Sequence, residues 1–189
     1  WELPLLSEAE SRQVMMEWNQ TAKPDEPIQS HEMFERQALS RPESVALIDG
    51  ERQWSYLELN RRSDALANHL RGLGVGPETL VGLCVGRSVE MAIGLLGVLR
   101  AGGAYLPLDA GYPAPRLAYL LGEGAVGVLL TQSHLREKLS GYHGEIVCLD
   151  ADWERVEQIG GAGDEPRRSG ASPENTAYVI YTSGSTGEP

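Results

Sequence analysis

The 189-residue chain is 41% hydrophobic and 23% charged, so it can bury a core and is not disordered by composition. Its length suits one sizeable domain, with or without a small additional piece. The formal net charge of −11, from 16 basic and 27 acidic residues, argues against nucleic acid and against an anionic membrane surface as partners. The sequence has no apolar run long enough to span a bilayer, and its N-terminus has neither the basic start nor the apolar core of a signal peptide.

The two cysteines, Cys84 and Cys148, each lie within a short apolar run. This setting predicts two buried thiols in a reducing compartment, the cytoplasm, rather than a disulfide or a metal site. The first residue is Trp1 and no initiating Met is present, so we expect the chain to be a piece of a longer protein.

Residues 1–27 differ in character from the rest of the chain. Ser7 and Glu10 have the spacing of a capping box and predict a helix that ends near Asn19. Residues 23–27, Lys-Pro-Asp-Glu-Pro, predict a connection without regular structure. We therefore expect an interdomain linker with a short helix over residues 1–27 and a domain over residues 28–189.

From residue 30 onward the pattern alternates between helices and strands. A predicted helix over residues 30–40 carries His31, which we place on the surface of its first turn, and Ser55 and Glu58 form a second capping box. The predicted elements are strands at 45–49, 80–85, 104–109, 128–131, 145–150 and 176–181, a short strand ending at Trp54, and helices at 30–40, 56–72, 89–100, 115–121, 133–139 and 153–159. This order predicts a layered α/β domain with a largely parallel sheet flanked by helices.

Residues 122–127 spell Gly-x-Gly-x-x-Gly, the dinucleotide-binding fingerprint. A predicted helix precedes these residues and a predicted strand follows them. The fingerprint needs the opposite order, in which the loop ends at the helix N-terminus that receives the pyrophosphate. We therefore interpret residues 122–127 as a helix-to-strand turn.

The end of the chain carries the strongest chemical signal. Tyr-Val-Ile-Tyr at residues 178–181 predicts a buried strand, and it leads directly into six small or hydroxyl-bearing residues: Thr182, Ser183, Gly184, Ser185, Thr186 and Gly187. Such a loop can present backbone N–H and side-chain O–H groups to phosphate oxygens, at the strand end where ligands of parallel sheets bind. The alternative is a flexible Ser/Gly-rich linker.

Three stretches together resemble one family. Residues 54–60 (Trp-Ser-Tyr-Leu-Glu-Leu-Asn), 99–109 (Leu-Arg-Ala-Gly-Gly-Ala-Tyr-Leu-Pro-Leu-Asp) and 178–189 are similar to core motifs of the adenylation domains of nonribosomal peptide synthetases, within the adenylate-forming enzymes. Residues 1–27 resemble the connector between a condensation domain and an adenylation domain. The resemblance implies the N-terminal part of the large subdomain of an adenylate-forming enzyme, truncated in its phosphate-binding loop.

The resemblance also implies an activity and partners. Such an enzyme activates an amino acid with ATP and Mg²⁺ to aminoacyl-AMP, and then loads it on the phosphopantetheine of a carrier domain. Residues 182–187 would hold the β- and γ-phosphates of ATP. The expected partners are an upstream condensation domain, a downstream carrier domain and, as a further candidate, a small helper protein.

The chain departs from the family pattern at its end. The motif continues Pro-Lys-Gly in the family, whereas this chain stops at Pro189. We assign no catalytic residue and no metal ligand, and we expect these 189 residues alone not to catalyse adenylation. Two alternatives stay open: a ligase that adenylates an aryl or fatty acid, and a docking or linker module built on residues 1–27.

Overall fold

A computed structural model describes residues 5–22, 28–160 and 169–182. The helices are α1 Glu8–Arg12, α2 Ser30–Ser40, α3 Tyr56–Gly72, α4 Val89–Ala101, α5 Ala114–Glu123 and α6 Trp153–Gly160. The strands are β1 Val45–Asp49, β2 Arg52–Ser55, β3 Leu80–Cys84, β4 Ala104–Pro107, β5 Val128–Thr131 and β6 Glu145–Cys148. A π-helical turn, Gln13–Glu17, continues α1, and a 3₁₀ helix spans Ser133–Leu139.

Four of the strands form a parallel sheet in the order β4-β3-β5-β6, while β1 and β2 form an antiparallel hairpin. Helices connect the parallel strands, as parallel pairing requires. The predicted fold class is confirmed: a layered α/β domain with a largely parallel sheet.

Hydrophobic cores cover both faces of the sheet. One core joins the sheet to α3, α4 and α6, and it includes the fully buried residues Leu66, Leu70, Val81, Val98, Leu130 and Val156. The other core joins the opposite face to α5, and it includes Leu106, Leu117, Leu120 and Leu129. Because both faces are covered, the central strands are continuously apolar rather than alternating.

Local sequence signals placed several boundaries correctly. In both predicted capping boxes, the serine Oγ accepts from the backbone N–H of the glutamate, at 3.3 Å for Ser7–Glu10 and 3.2 Å for Ser55–Glu58. Residues 122–127 lead from α5 to β5, so the helix-to-strand interpretation of the glycine fingerprint is also confirmed.

A buried cation, Arg100, ties three helices together near the end of α4. Its Nε donates to Glu35 Oε1 of α2 at 2.7 Å. Its Nη1 donates to the Asn60 backbone O and to Ser63 Oγ of α3, both at 2.8 Å, and its Nη2 donates to Asn60 Oδ1 at 2.9 Å. Every nitrogen of this guanidinium therefore has a partner, as a buried charge requires.

The predicted surface position of His31 is wrong, since the residue is only 8% exposed. His31 precedes Glu35 by one helical turn, so both residues lie on the side of α2 that docks against α3 and α4. Burial is the main reason that the pKa of His31 is lowered, although Glu35 and Glu32 act in the opposite direction.

The two cysteines are buried and free, as predicted. Burial raises the pKa of Cys84 to about 11 and also raises that of Cys148, so both thiols stay protonated near neutral pH. Within the described ranges, no helix has the length and hydrophobicity needed to cross a membrane.

The predicted boundary between the linker and the domain stays a prediction. The described part of the linker contains the expected short helix, in which no residue of 8–17 is buried. The predicted connection at residues 23–27 lies outside the described residues.

Candidate phosphate-binding edge of the sheet

The segment 169–182 reaches the sheet beside β4. The backbone N–H of Tyr105 donates to the Ala177 carbonyl at 3.1 Å, and the N–H of Val179 donates to the Tyr105 carbonyl at 3.0 Å. These bonds form an isolated parallel bridge between Tyr105 and Tyr178. Because the pairing is parallel, the chain leaves the bridge toward the carboxyl end of the sheet, where Thr182 lies exposed.

The prediction of a buried strand at residues 178–181 is wrong, because the described residues form one isolated bridge rather than a strand and only alternate residues are covered. Tyr178 and Ile180 are 54% and 58% exposed, whereas Val179 and Tyr181 pack against the second core. This alternation arises because the segment lies at the edge of the sheet, with only one face covered by described residues.

A close backbone approach explains the glycines of the Ala-Gly-Gly-Ala stretch. Gly102 ends α4 in the left-handed region, with φ +93°. A Cβ atom at this position would lie 2.8 Å from the Ser169 carbonyl oxygen. Glycine therefore serves two needs here, since it permits both the helix-terminating turn and the passage of residues 169–177 across it.

The carboxylate of Glu78 holds the same segment by hydrogen bonds. Glu78 Oε1 accepts from Asn175 Nδ2 at 2.8 Å and from the Thr176 N–H at 3.1 Å, and Glu78 Oε2 accepts from Thr176 Oγ1 at 2.7 Å. These hydrogen bonds, led by the Thr176 hydroxyl, lower the pKa of Glu78. Sequence reasoning missed Glu78, because its partners lie 97 and 98 residues away and no local pattern marks the pair.

A groove of about 610 Å³ opens at the carboxyl ends of β3 and β4, next to Tyr181. We call it the carboxyl-edge groove. Its walls are mostly apolar, and it also contains the side chains of Arg87, Asp109 and Arg116. Two arginines and one aspartate thus line the groove beside the end of the segment, in a chain whose net charge is −11.

The loops that border this edge are fixed by buried polar side chains. Gln132 Oε1 accepts from the Gly86 N–H at 2.8 Å, which joins the loop after β5 to the loop after β3. Thr131 Oγ1 donates to the Cys84 carbonyl at 2.8 Å in the same region. Sequence reasoning also missed Gln132, which no motif identifies as a tie between loops.

Of the predicted phosphate-binding residues, the structure describes Thr182 alone. The other five, Ser183, Gly184, Ser185, Thr186 and Gly187, lie outside the described residues. Their role stays a prediction. Across residues 5–22, 28–160 and 169–182, no group of three His, Cys, Asp or Glu side chains could hold a metal ion.

Comparison with known proteins gives a consistent picture. A family model described as AMP-binding enzyme matches residues 34–189. A linear gramicidin synthase of Brevibacillus parabrevis is 48% identical over 190 residues, covering 99% of this chain and 4% of that protein. The chain thus spans a small part of this curated relative.

Solved structures of the nonribosomal peptide synthetase FmoA3 have a similar fold. Its form bound to alpha-methyl-L-serine-AMP is 36% identical with a TM-score of 0.82, covering 92% of this chain and 19% of that one. Its AMPPNP-bound form is 35% identical with a TM-score of 0.78, covering 90% and 18%.

Proposed function

Because the chain belongs to the AMP-binding enzyme family, we propose that it is part of a nonribosomal peptide synthetase that activates an amino acid with ATP. The product would be aminoacyl-AMP, with release of pyrophosphate. The similarity to the linear gramicidin synthase and to FmoA3 bound to an aminoacyl adenylate supports this proposal. The reaction would belong to the longer protein, since the chain spans 4% of the first relative.

We assign the β- and γ-phosphates of ATP to residues 182–187. The observation that carries this assignment is the parallel bridge between Tyr105 and Tyr178, which directs Thr182 to the carboxyl end of the sheet. Hydroxyls and backbone N–H groups held there would stabilise the charge that gathers on departing pyrophosphate. Arg87 and Arg116 in the carboxyl-edge groove add positive charge to the same region.

The described residues offer no separate site for Mg²⁺, which would bind together with the nucleotide. They contain no three-ligand cluster that would build a protein cage for the ion. Mg²⁺ commonly binds through substrate phosphates and retains several waters. We propose that it enters with ATP, where it would neutralise phosphate charge, and we assign none of its ligands to the described part of the chain.

The partners follow from the same proposal. The amino acid would pass to the phosphopantetheine thiol of a downstream carrier domain, and residues 1–27 would connect to an upstream condensation domain, with a small helper protein as a further candidate. A cytoplasmic location is consistent with the two unpaired, buried cysteines.

The test is amino-acid-dependent pyrophosphate exchange, measured with the protein extended beyond Pro189 to a complete adenylation domain. We expect exchange with one or a few amino acids. Thr186→Ala removes a hydroxyl proposed to contact phosphate, so it should lower kcat/KM for ATP by about 100-fold. Thr21→Ala is the matched control, because this exposed threonine lies before the matched family region and should leave exchange unchanged.

Other outcomes decide between the alternatives. Activity with aryl or fatty acids, and none with amino acids, would move the protein to another branch of adenylate-forming ligases. Absence of adenylation with every acid tested, in the presence and absence of a helper protein, would favour the docking or linker module.

A further inference from the structure

We propose that Glu78 is a positioning residue for ATP, which sets the register of residues 175–182 against β4 and so the place where the phosphate-binding loop begins. This inference rests on the proposed function and deepens it. Glu78 itself lies in the loop before β3, and we assign it no contact with the nucleotide.

The backbone pairing of the segment cannot choose its own register. Its two hydrogen bonds to the sheet join backbone groups of Tyr105 to those of Ala177 and Val179, and any residue could supply such groups. A slip by one residue would turn Tyr178 and Ile180 toward the core. A slip by two would keep the same face inward and the same pairing, but would move Thr182 by about 6.6 Å along the sheet.

The side chain of Glu78 adds a selection of register that the backbone pairing lacks. Its three hydrogen bonds go to the Asn175 side chain, the Thr176 hydroxyl and the Thr176 N–H, so a slipped segment would present other side chains to the carboxylate. Ser172 strengthens the choice, since its N–H donates to Asn175 Oδ1 at 2.7 Å and orients the amide that bonds Glu78. We call the contact of Glu78 with Asn175 and Thr176 the clamp. Thr176 lies six residues before Thr182, and the bridge at Tyr178 lies between these two residues.

The backbone conformation of Glu78 indicates that the surrounding structure holds this residue in place. Glu78 has φ 61°, in the left-handed region that glycine occupies readily and glutamate rarely. Such conformations persist where other interactions hold them, and they are concentrated at functional positions. A glycine would suit this backbone better but could not bind Asn175 and Thr176.

The experiment compares two glutamate-to-glutamine variants, each of which removes one negative charge, in the protein extended beyond Pro189. Glu78→Gln should raise KM for ATP by about tenfold and leave KM for the amino acid unchanged, because only the phosphate-binding loop is displaced. Glu174→Gln is the control, since Glu174 is exposed on the same segment and forms no hydrogen bond or ion pair with described residues. It should change neither constant.

The variant Glu78→Gly distinguishes the loss of the Glu78 hydrogen bonds from a loss of folded protein. Glycine relaxes the φ of 61°, so the protein should remain folded, yet KM for ATP should rise as in Glu78→Gln. Thr176→Val should have a similar effect, and the double variant Glu78→Gln with Thr176→Val should be less impaired than the product of the two single effects.

Hydrogen exchange at the Val179 amide reports register without requiring catalysis. The Glu78 variants should lower its protection, while Glu174→Gln should not. Unchanged protection at Val179, or a fall in kcat that matches a loss of folded protein with KM for ATP intact, would overturn the proposal. If the unmodified enzyme forms no adenylate, the proposed function fails and the phosphate role of Glu78 fails with it, whereas reduced Val179 protection would still establish the register contact.

Discussion

At the scale of single residues, two ion pairs of nearly equal length have very different surroundings. Arg100 and Glu35 are 2.7 Å apart, with side-chain exposures of 6% and 37%, whereas Arg155 and Glu145 are 2.6 Å apart, with exposures of 50% and 41%. Water screens the second pair and offers both partners alternatives. Arg100 also donates to Asn60 and Ser63, so removing this cation would break its four hydrogen bonds, one of them to a buried hydroxyl.

We therefore predict that Arg100→Met destabilises the chain by about 3 kcal/mol, while Arg155→Met destabilises it much less. Both variants remove the same guanidinium and add the same apolar side chain. Urea-induced unfolding of each variant measures the difference. Equal losses would mean that burial of Arg100 does not determine its contribution.

The same residues mark the limit of sequence-based prediction. The Ser55–Glu58 capping box was predictable because its partners are three residues apart, inside one pattern. The partner of Arg100 on α2 lies 65 residues away. His31 was assigned to the surface for the same reason, because nothing near it in sequence reveals that α3 and α4 cover its side of α2.

At the scale of elements, α6 makes its closest backbone approach to α3 at one glycine, Gly160. A Cβ atom on Gly160 would lie 1.9 Å from the Ala65 carbonyl oxygen, and the Gly160 carbonyl accepts from Asn68 Nδ2 at 2.8 Å. Backbone meets backbone at this point, so no side chain can rotate away to make room.

We predict that Gly160→Ala forces α6 away from α3 and destabilises the chain by about 2 kcal/mol. Gly122→Ala is the matched control, because Gly122 lies in α5 with open space around its Cβ position. That change should be neutral or stabilising by up to about 1 kcal/mol. Thermal unfolding compares the two, and a stable Gly160→Ala variant would show that α6 can shift at little cost.

The sequence identified the elements better than their places in the sheet. Apolar runs located the two central strands, β3 and β5, because a strand covered on both faces is apolar throughout. The run at residues 178–181 has the same composition but lies at an edge, beside β4. Strand order depends on the crossover connections rather than on composition. The sequence could therefore predict that Thr182 lies at the carboxyl end of the sheet, but not that Tyr178 is exposed.

At the scale of the whole molecule, residues 5–22 contribute little to the folded domain. No residue of 8–17 is buried, and Met15, Met16 and Trp18 are all more than half exposed. The matched family region begins later, at residue 34. Helices without a packed face gain little stability from the rest of a protein.

We accordingly predict that deleting residues 1–27 changes the free energy of unfolding by less than about 0.5 kcal/mol. Adenylation by the extended protein should also persist, while the arrangement of neighbouring domains should change if these residues form a docking module. Urea unfolding and pyrophosphate exchange test the first two expectations. A large loss of stability would place residues 1–27 inside the folding unit.

The strand order has a consequence for synthesis of the protein. Of the four parallel strands, β3 is translated first. β4 then pairs with one of its edges and β5 with the other, β6 extends β5, and the segment 169–182 finally joins β4. Each newcomer therefore meets an edge that already exists, and none must insert between two paired strands. The sheet can grow outward in the order in which the ribosome delivers its strands, which shortens the time for which unpaired edges can aggregate.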